Sequence, residues 1–199
     1  RRPSMPDRRI NLGDGEDVTM IDANRDHCKQ ARDKGYAAIC GDAQKEEVQE
    51  EAGVGNAKAL IAMTPNAEIN VLAAQIAFLV FDVDDIYVMI DERTTEGMKT
   101  ILHDIGALPM CVHPVDMMEW DYCVSHGLAD VVETTVQEPT TLQSFVDRDD
   151  DREMLPLIIR REGEFTFPCS TVSLKRGDEV IAIENARMCM IEESAEPVT

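Results

Sequence analysis

Aromatic residues are scarce in this chain: five Phe, three Tyr and one Trp make up 5% of its 199 residues. Any core must therefore be built from aliphatic side chains and from the 11 Met. Long apolar runs are missing as well. The longest, around Val71–Val83, is broken by Gln75 and Asp82. It falls short of the ~18–20 apolar residues that a membrane helix needs, and reads as a buried helix. No basic-then-apolar leader opens the sequence. Positive charge is in deficit, with 19 Lys and Arg against 39 Asp and Glu, a net charge of −20 and a pI near 4.4. Phosphate backbones and anionic lipid repel such a polyanion, so nucleic acid is excluded as a partner. The surplus acid reads as a solvated surface. The six Cys show no CxxC pair and no regular spacing, and several lie inside apolar runs. That is the pattern of reduced, buried thiols in a cytoplasmic protein rather than of a disulfide framework.

What is present suits a globular protein. Hydrophobic residues are 44% and charged residues 29%, ordinary for a chain that buries a core. The length fits one full domain and a small second one.

From Asp17 to about Met110, short apolar runs alternate with helix-period segments. Strands are predicted at Val18–Ile21, Tyr36–Cys40, Ala57–Met63, Ile86–Ile90 and Leu108–Val112. Between them, helices are predicted from the cap Asn24 to Lys34, over Ala43–Ala52, from the cap Asn66 through Ile69, Leu72, Ala73, Ile76, Leu79 and Val80, and over Thr94–Leu102. Uniformly apolar strands separated by single helices belong to a parallel sheet covered on both faces. The fold class is therefore α/β, a doubly wound parallel sheet of Rossmann-like type, followed by a small C-terminal β-rich lobe. Ser4-Met5-Pro6-Asp7 has the form of a capping box, which predicts a short helix over Ser4–Leu12. No strand precedes that helix, so the first strand of the sheet is missing or truncated, and the sequence reads as starting just inside a larger protein.

Beyond Pro114 the pattern changes. Val115–Gly127 carries Met117, Met118, Trp120, Tyr122, Cys123 and Val124, a helix apolar around much of its circumference. It fits either an ordinary core helix or one that packs on a second subunit. Asp147–Glu153 is a charged linker. Short strands are predicted at Leu155–Arg160, Glu164–Phe167, Ser170–Leu174 and Glu179–Glu184, turning at Glu162-Gly163 and at Arg176-Gly177-Asp178. The expected organisation is residues 1–114 as the α/β lobe, 115–146 as a helical dimerisation or crossover segment, 147–153 as linker and 154–192 as the β-rich lobe.

Open α/β sheets bind ligands at the C-terminal ends of their strands. Asp22 ends the first strand of the series, where a carboxylate can accept both ribose hydroxyls of an adenosine. Asp42, with Ala43, ends the next and could border an adenine. Thr64 ends the third. Each acid alone also suits a turn or cap; three polar groups at successive strand ends converge in such a fold. A glycine-rich phosphate loop would lie roughly 20 residues before the acid, where Arg1-Arg2-Pro3-Ser4 has no glycine. Arg2, Ser4 and a helix N-terminus could hold an anion there instead. Cys111 and His113 are two metal-type ligands without visible partners, so no metal site is expected, and no nucleophile motif marks a catalytic centre.

Val18–Asp22, Gly41-Asp42-Ala43, the A-x-T-x-N-x-E-x-N run of Ala62–Asn70, and Ile86–Asp91 together resemble the regulator-of-potassium-conductance (RCK) family over roughly residues 1–110. The Ala62–Asn70 run is the most specific part, and is especially similar to the variant found behind the membrane domain of sodium/proton exchangers. The segment from Pro156 to Glu184 is similar to the small second lobe of such proteins. The resemblance implies a dimerising domain on the cytoplasmic face of the cell membrane, which binds an adenine nucleotide (NAD or NADH, AMP or ATP) and biases the membrane domain of a parent antiporter or potassium transporter. It implies that Asp22 holds the ribose and that Asp42 lies near the adenine. Two alternatives stand beside it. A nicotinamide-dependent oxidoreductase or epimerase would need an acid–base motif that Tyr36, Tyr87 and Tyr122 do not form. A structural dimerisation module would carry a vestigial cleft.

Overall fold

The computed structural model describes residues 17–110, 113–148, 152–169 and 171–186. The helix expected over Ser4–Leu12 lies outside them, as do Arg2, Ser4 and Cys111. The chain divides into two compact units, one of Asp17–Tyr122 with Cys169–Val172, the other of Cys123–Pro168 with the residues from Ser173.

The first unit is the α/β lobe. Its strands are β1 (Thr19–Asp22), β2 (Ala37–Cys40), β3 (Ala59–Ala62), β4 (Asp85–Met89) and β5 (Leu108–Met110); its helices are α1 (Arg25–Asp33), α2 (Glu46–Glu51), α3 (Ala67–Phe81) and α4 (Glu96–Asp104), and the division of the chain at Tyr122 falls within α5 (Met117–Ser125). All pairings among these strands are parallel. They form two ladders, β1-β2 and β3-β4-β5, and among the described residues no pairing joins β1 to β3. The alternation of β1 still ties the ladders to one lobe. Met20 packs into a small cluster with Cys28, Ala31 and Ala38, under α1. Ile21, on the opposite face, packs against the main core of Ala62, Val71, Ala74, Ala77, Ile86, Val88 and Leu102. Helices thus cover both faces, as a doubly wound sheet requires. Burial of each of the larger aliphatic side chains of this core, Val71, Ile86, Val88 and Leu102, contributes about 2 kcal/mol.

Local chemistry sets the helix starts. The Asn24 side chain accepts from Asp26 N–H, and the Asn66 side chain accepts from Glu68 and Ile69 N–H. These bonds satisfy amides that a helix start leaves unpaired. Gly35 ends α1 with a φ of +87°, a left-handed conformation that glycine adopts freely. Asp82 makes the same turn after α3, at φ 57°.

The second unit contains β6 (Ala129–Thr135), β7 (Thr140–Thr141), α6 (Leu142–Val146), β8 (Arg152–Arg161), β9 (Glu164–Thr166), β10 (Ser173–Leu174) and β11 (Glu179–Ala186). An antiparallel sheet runs in the order β6-β11-β8-β9, and β7 pairs with β10. The segment expected to be helical between 115 and 146 holds α5 and α6, but also β6, which pairs along β11 from Asn185↔Ala129 to Glu179↔Thr135. The linker also proves shorter than the charge run suggested, because Arg152 and Glu153 already belong to β8 and Arg152 pairs with Glu184 at 2.7 Å. Pro156 stands inside β8, where it cannot donate to a ladder. The register slips there: Ile181 faces Ile158 while Ala182 faces Pro156, and the bulge accommodates the missing N–H. The Glu162-Gly163 turn between β8 and β9 has both φ values positive, 53° and 88°, as a two-residue hairpin loop of the primed type requires.

Candidate functional site

The strand C-termini of the first unit carry the polar groups. Asp22 ends β1, and its two carboxylate oxygens are engaged separately. Oδ1 accepts from Asn24 N–H at 2.7 Å, and Oδ2 lies 3.0 Å from His27 Nδ1. The side chain keeps 31% of its surface exposed. The carboxylate is thus oriented and open to solvent, with His27 as a neighbour on the first turn of α1. His27 had no role in the sequence reading. Its signal is the five-residue spacing from Asp22, which places it one turn into a helix whose start the acid already shapes.

Asp42 lies next to this acid, because β2 pairs with β1 in register: Asp22 faces Cys40, and Gly41 N–H donates to Asp22 O at 3.0 Å. Asp42 Oδ1 accepts from the backbone and the side-chain amide of Gln44, an Asx turn leading into α2. Ala43 offers its carbonyl to Gln49 Nε2 at 2.8 Å. Gly41 of the same motif has a packing reason. A Cβ there would lie 2.8 Å from Val48 Cγ2, so glycine lets α2 close on the strand end.

Thr64 belongs to a second cluster. Its hydroxyl lies 2.7 Å from Asn70 Oδ1, which also accepts from Thr64 N–H at 2.8 Å. Asn70 Nδ2 donates to Thr64 O at 3.0 Å and to Met89 O at 3.1 Å. Buried Asn70 therefore uses its whole amide to bind the end of β3 to the end of β4. Asn66 N–H donates to Thr64 Oγ1 at 3.2 Å while its side chain caps α3. The conspicuous T-x-N-x-E-x-N run is thus a device for shaping one strand-to-helix turn. It presents backbone to a ligand more readily than it presents the Thr64 hydroxyl.

The turn after β4 supplies two residues that the sequence reading left without a site role. Asp91 accepts from Arg93 N–H at 2.9 Å and from Arg93 Nε at 2.8 Å, and Thr94 Oγ1 lies 3.3 Å from Oδ1. Burial pushes its carboxyl up, but the Arg93 side chain, the Arg93 backbone and Thr94 outweigh it and hold Asp91 below the usual carboxylate value. Arg93 also donates to Pro65 O at 2.9 Å, so one guanidinium spans the turns after β3 and β4. The structure thus groups Asp22 with Asp42, and Thr64 with Asp91 and Arg93.

Among the described residues no group of three or more His, Cys, Asp and Glu is arranged to hold a metal, and no helix is long and apolar enough to cross a membrane.

Residues 8–114 match the TrkA-N domain family, more than half of the chain. The Trk system potassium uptake protein TrkA of Vibrio alginolyticus is 31% identical over 100 residues, which is 50% of this chain and 22% of that protein. Among solved structures, the chain is similar to the GsuK RCK domain at 14% identity and a TM-score of 0.32, covering 85% of this chain and 45% of that one. It is also similar to the GsuK channel bound to NAD, at 14% identity and a TM-score of 0.33, covering 85% and 36% of the two chains.

Proposed function

Because the chain belongs to the TrkA-N family, of RCK type, we propose that it is the ligand-sensing regulatory domain of a monovalent-cation transport protein, controlled by an adenine nucleotide at its strand ends. The observation that carries the reading is Asp22: a half-buried, solvent-accessible carboxylate at the end of β1, oriented by Asn24 N–H and by His27. A ribose would take its two hydroxyl donors to Asp22, displacing His27 from Oδ2. The adenine would lie toward Asp42 and Ala43, and the turn at Thr64 would border the cleft with backbone groups. Arg2 and Ser4 are the proposed phosphate contacts. NAD or NADH is the first ligand to test, with AMP and ATP beside it.

The domain acts by binding rather than by catalysis. A nucleotide biases transport only as far as it binds one arrangement of the protein more tightly than another. Potassium is the ion favoured by the relationship to the potassium uptake protein. A parent cation:proton antiporter is the finer alternative, supported by the similarity of the Ala62–Asn70 run to the exchanger variant. The membrane domain of that parent is the proposed partner, and the cytoplasmic face of the membrane the proposed location.

Thermal unfolding with millimolar NAD, NADH, AMP and ATP tests the ligand. At a hundred times its Kd, a nucleotide adds about 2.7 kcal/mol to stability. Asp22→Asn is expected to weaken binding ~10–100-fold through loss of charge-assisted hydrogen bonds. Unchanged melting with all four nucleotides would overturn the reading in favour of a structural module, and turnover of NADH would favour an enzyme.

We further propose a homodimer formed through α5. Met118 and Tyr122, one helical turn apart, are 64% and 48% exposed, whereas Trp120 is buried. Sedimentation equilibrium is expected to show a dimer that the double variant Met118→Asp, Tyr122→Asp converts to monomer. A monomeric parent chain would refute it.

A further inference from the structure

Two thiols lie on one face of the β1-β2 ladder, beside the strand-end acid. Cys28, on α1, is fully buried. Its Sγ lies 3.2 Å from Asp22 O and 3.8 Å from Ile39 O, so it sits over the β1-β2 ladder where that ladder ends. Cys40 is the Cα partner of Asp22 in the same ladder. Strand alternation puts Cys40 on the face of β2 that carries Ala38, and Ala38 packs with Cys28. Cys28 Sγ thus lies against the peptide group that joins Ile39 to Cys40. Cys40 is exposed and Cys28 is not, the arrangement of an oxidant-facing thiol with a second one held behind it.

We propose that Cys28 and Cys40 are a reversible dithiol–disulfide pair, oxidised by hydrogen peroxide, whose bond fastens α1 to the end of β2 and alters the cleft at Asp22. The Cys40 sulfur attacks one peroxide oxygen and the O–O bond breaks, giving Cys40 sulfenic acid and one water. The Cys28 sulfur then attacks the Cys40 sulfur. The S–S bond forms, the S–O bond breaks and a second water leaves. Two electrons pass from the thiols to the peroxide, and both thiol hydrogens depart in the waters. Burial pushes the Cys28 thiol up, with Cys40 and Asp22 adding to it and Arg32 opposing, which fits Cys40 rather than Cys28 as the first attacker. Oxidation removes the Cys28 hydrogen now directed at the Asp22 carbonyl. The pairing of the thiols stands on this geometry alone, whereas its effect on ligand rests on the nucleotide reading above.

The test treats the reduced full chain with stoichiometric peroxide. An intact mass lower by about 2 Da, for two hydrogens lost, is expected, with tryptic peptides Asp26–Lys29 and Gly35–Lys45 linked and released by dithiothreitol. Cys40→Ser, at an exposed position, should abolish the link. Cys28→Ser should leave a Cys40 sulfenic acid that dimedone traps. Persistent sulfenic acid without the link in the parent chain, or a link between other cysteines instead, would overturn the pairing. With the link formed, a smaller nucleotide-induced melting shift in the oxidised than in the reduced chain supports the coupling to Asp22, and equal shifts refute it. No shift in the reduced chain would count against nucleotide binding and the coupling together, while the pairing is judged by mass alone.

Discussion

Asp178 sits in the turn before β11 with 2% of its surface exposed. Arg161 reaches both its oxygens, Nε to Oδ1 at 2.8 Å and Nη2 to Oδ2 at 2.6 Å, and Lys175 N–H donates to Oδ2 at 2.7 Å. The hydrogen bonds from Arg161 hold its carboxyl below the usual value, against the opposing effect of burial. A carboxyl lowered by folding stabilises the fold fully above its unfolded value of about 3.9. That contribution is lost as pH falls through the folded value, since the unfolded chain takes up its proton first. Asp178→Asn is therefore expected to cost about 2–4 kcal/mol at neutral pH, less than a fully enclosed pair because Arg161 reaches solvent. Urea denaturation should show the gap between parent and variant shrinking below pH 4. In sequence, Arg176-Gly177-Asp178 was legible as a turn, but the ion pair was not, because its partner lies 17 residues away on another strand. The same holds at the strand ends. Asp22, Asp42 and Thr64 could be picked out by position, yet the Asn70 amide that binds Thr64 and the Arg93 side chain that crosses to Pro65 depend on strands meeting in space.

Elements differ in how openly they announce themselves. Asn24 and Asn66 give away their helices because a cap acts within three residues. β6 escaped notice because its Val131 and Glu133 lie on an edge, with no apolar run to mark it, and its reason to be a strand is β11, some fifty residues downstream. Gly41 shows a signal that can be misassigned: in a G-D-A motif at a strand end it suggests a ligand, whereas its position is fixed by Val48 of α2. Gly41→Ala is expected to cost about 1–3 kcal/mol through overpacking against a stiff β-branched side chain. Calorimetry should show Val48→Ala recovering part of that loss in the double variant, and a neutral Gly41→Ala would show that α2 is free to shift.

At the scale of the whole molecule, composition indicated an aliphatic core, and the pattern of apolar runs indicated an α/β lobe followed by a β-rich one. The parallel alternation of the first unit was legible because its strands are short apolar runs set between helices, of which α1, α3 and α4 open on a side-chain cap. The order of strands in the second sheet was not, since pairing between distant segments leaves no local trace. One property of the first unit reaches beyond description. Its β1-β2 and β3-β4-β5 ladders share no strand pairing among the described residues, and the former reaches the larger core through Ile21 while Met20 and Ala38 belong to a small cluster of their own. Such a lobe has a natural seam, so it can melt in two steps of unequal height. Hydrogen exchange is expected to be faster at Met20–Asp22 and Ala38–Cys40 than at Leu60–Ala62 and Ile86–Met89, by the difference between a local opening and a global one. Equal rates would mean that the seam does not open on its own. A molecule that touches the chain on both sides of that seam acts as a suture, felt as slower breathing of the weaker half before any atom is seen to move.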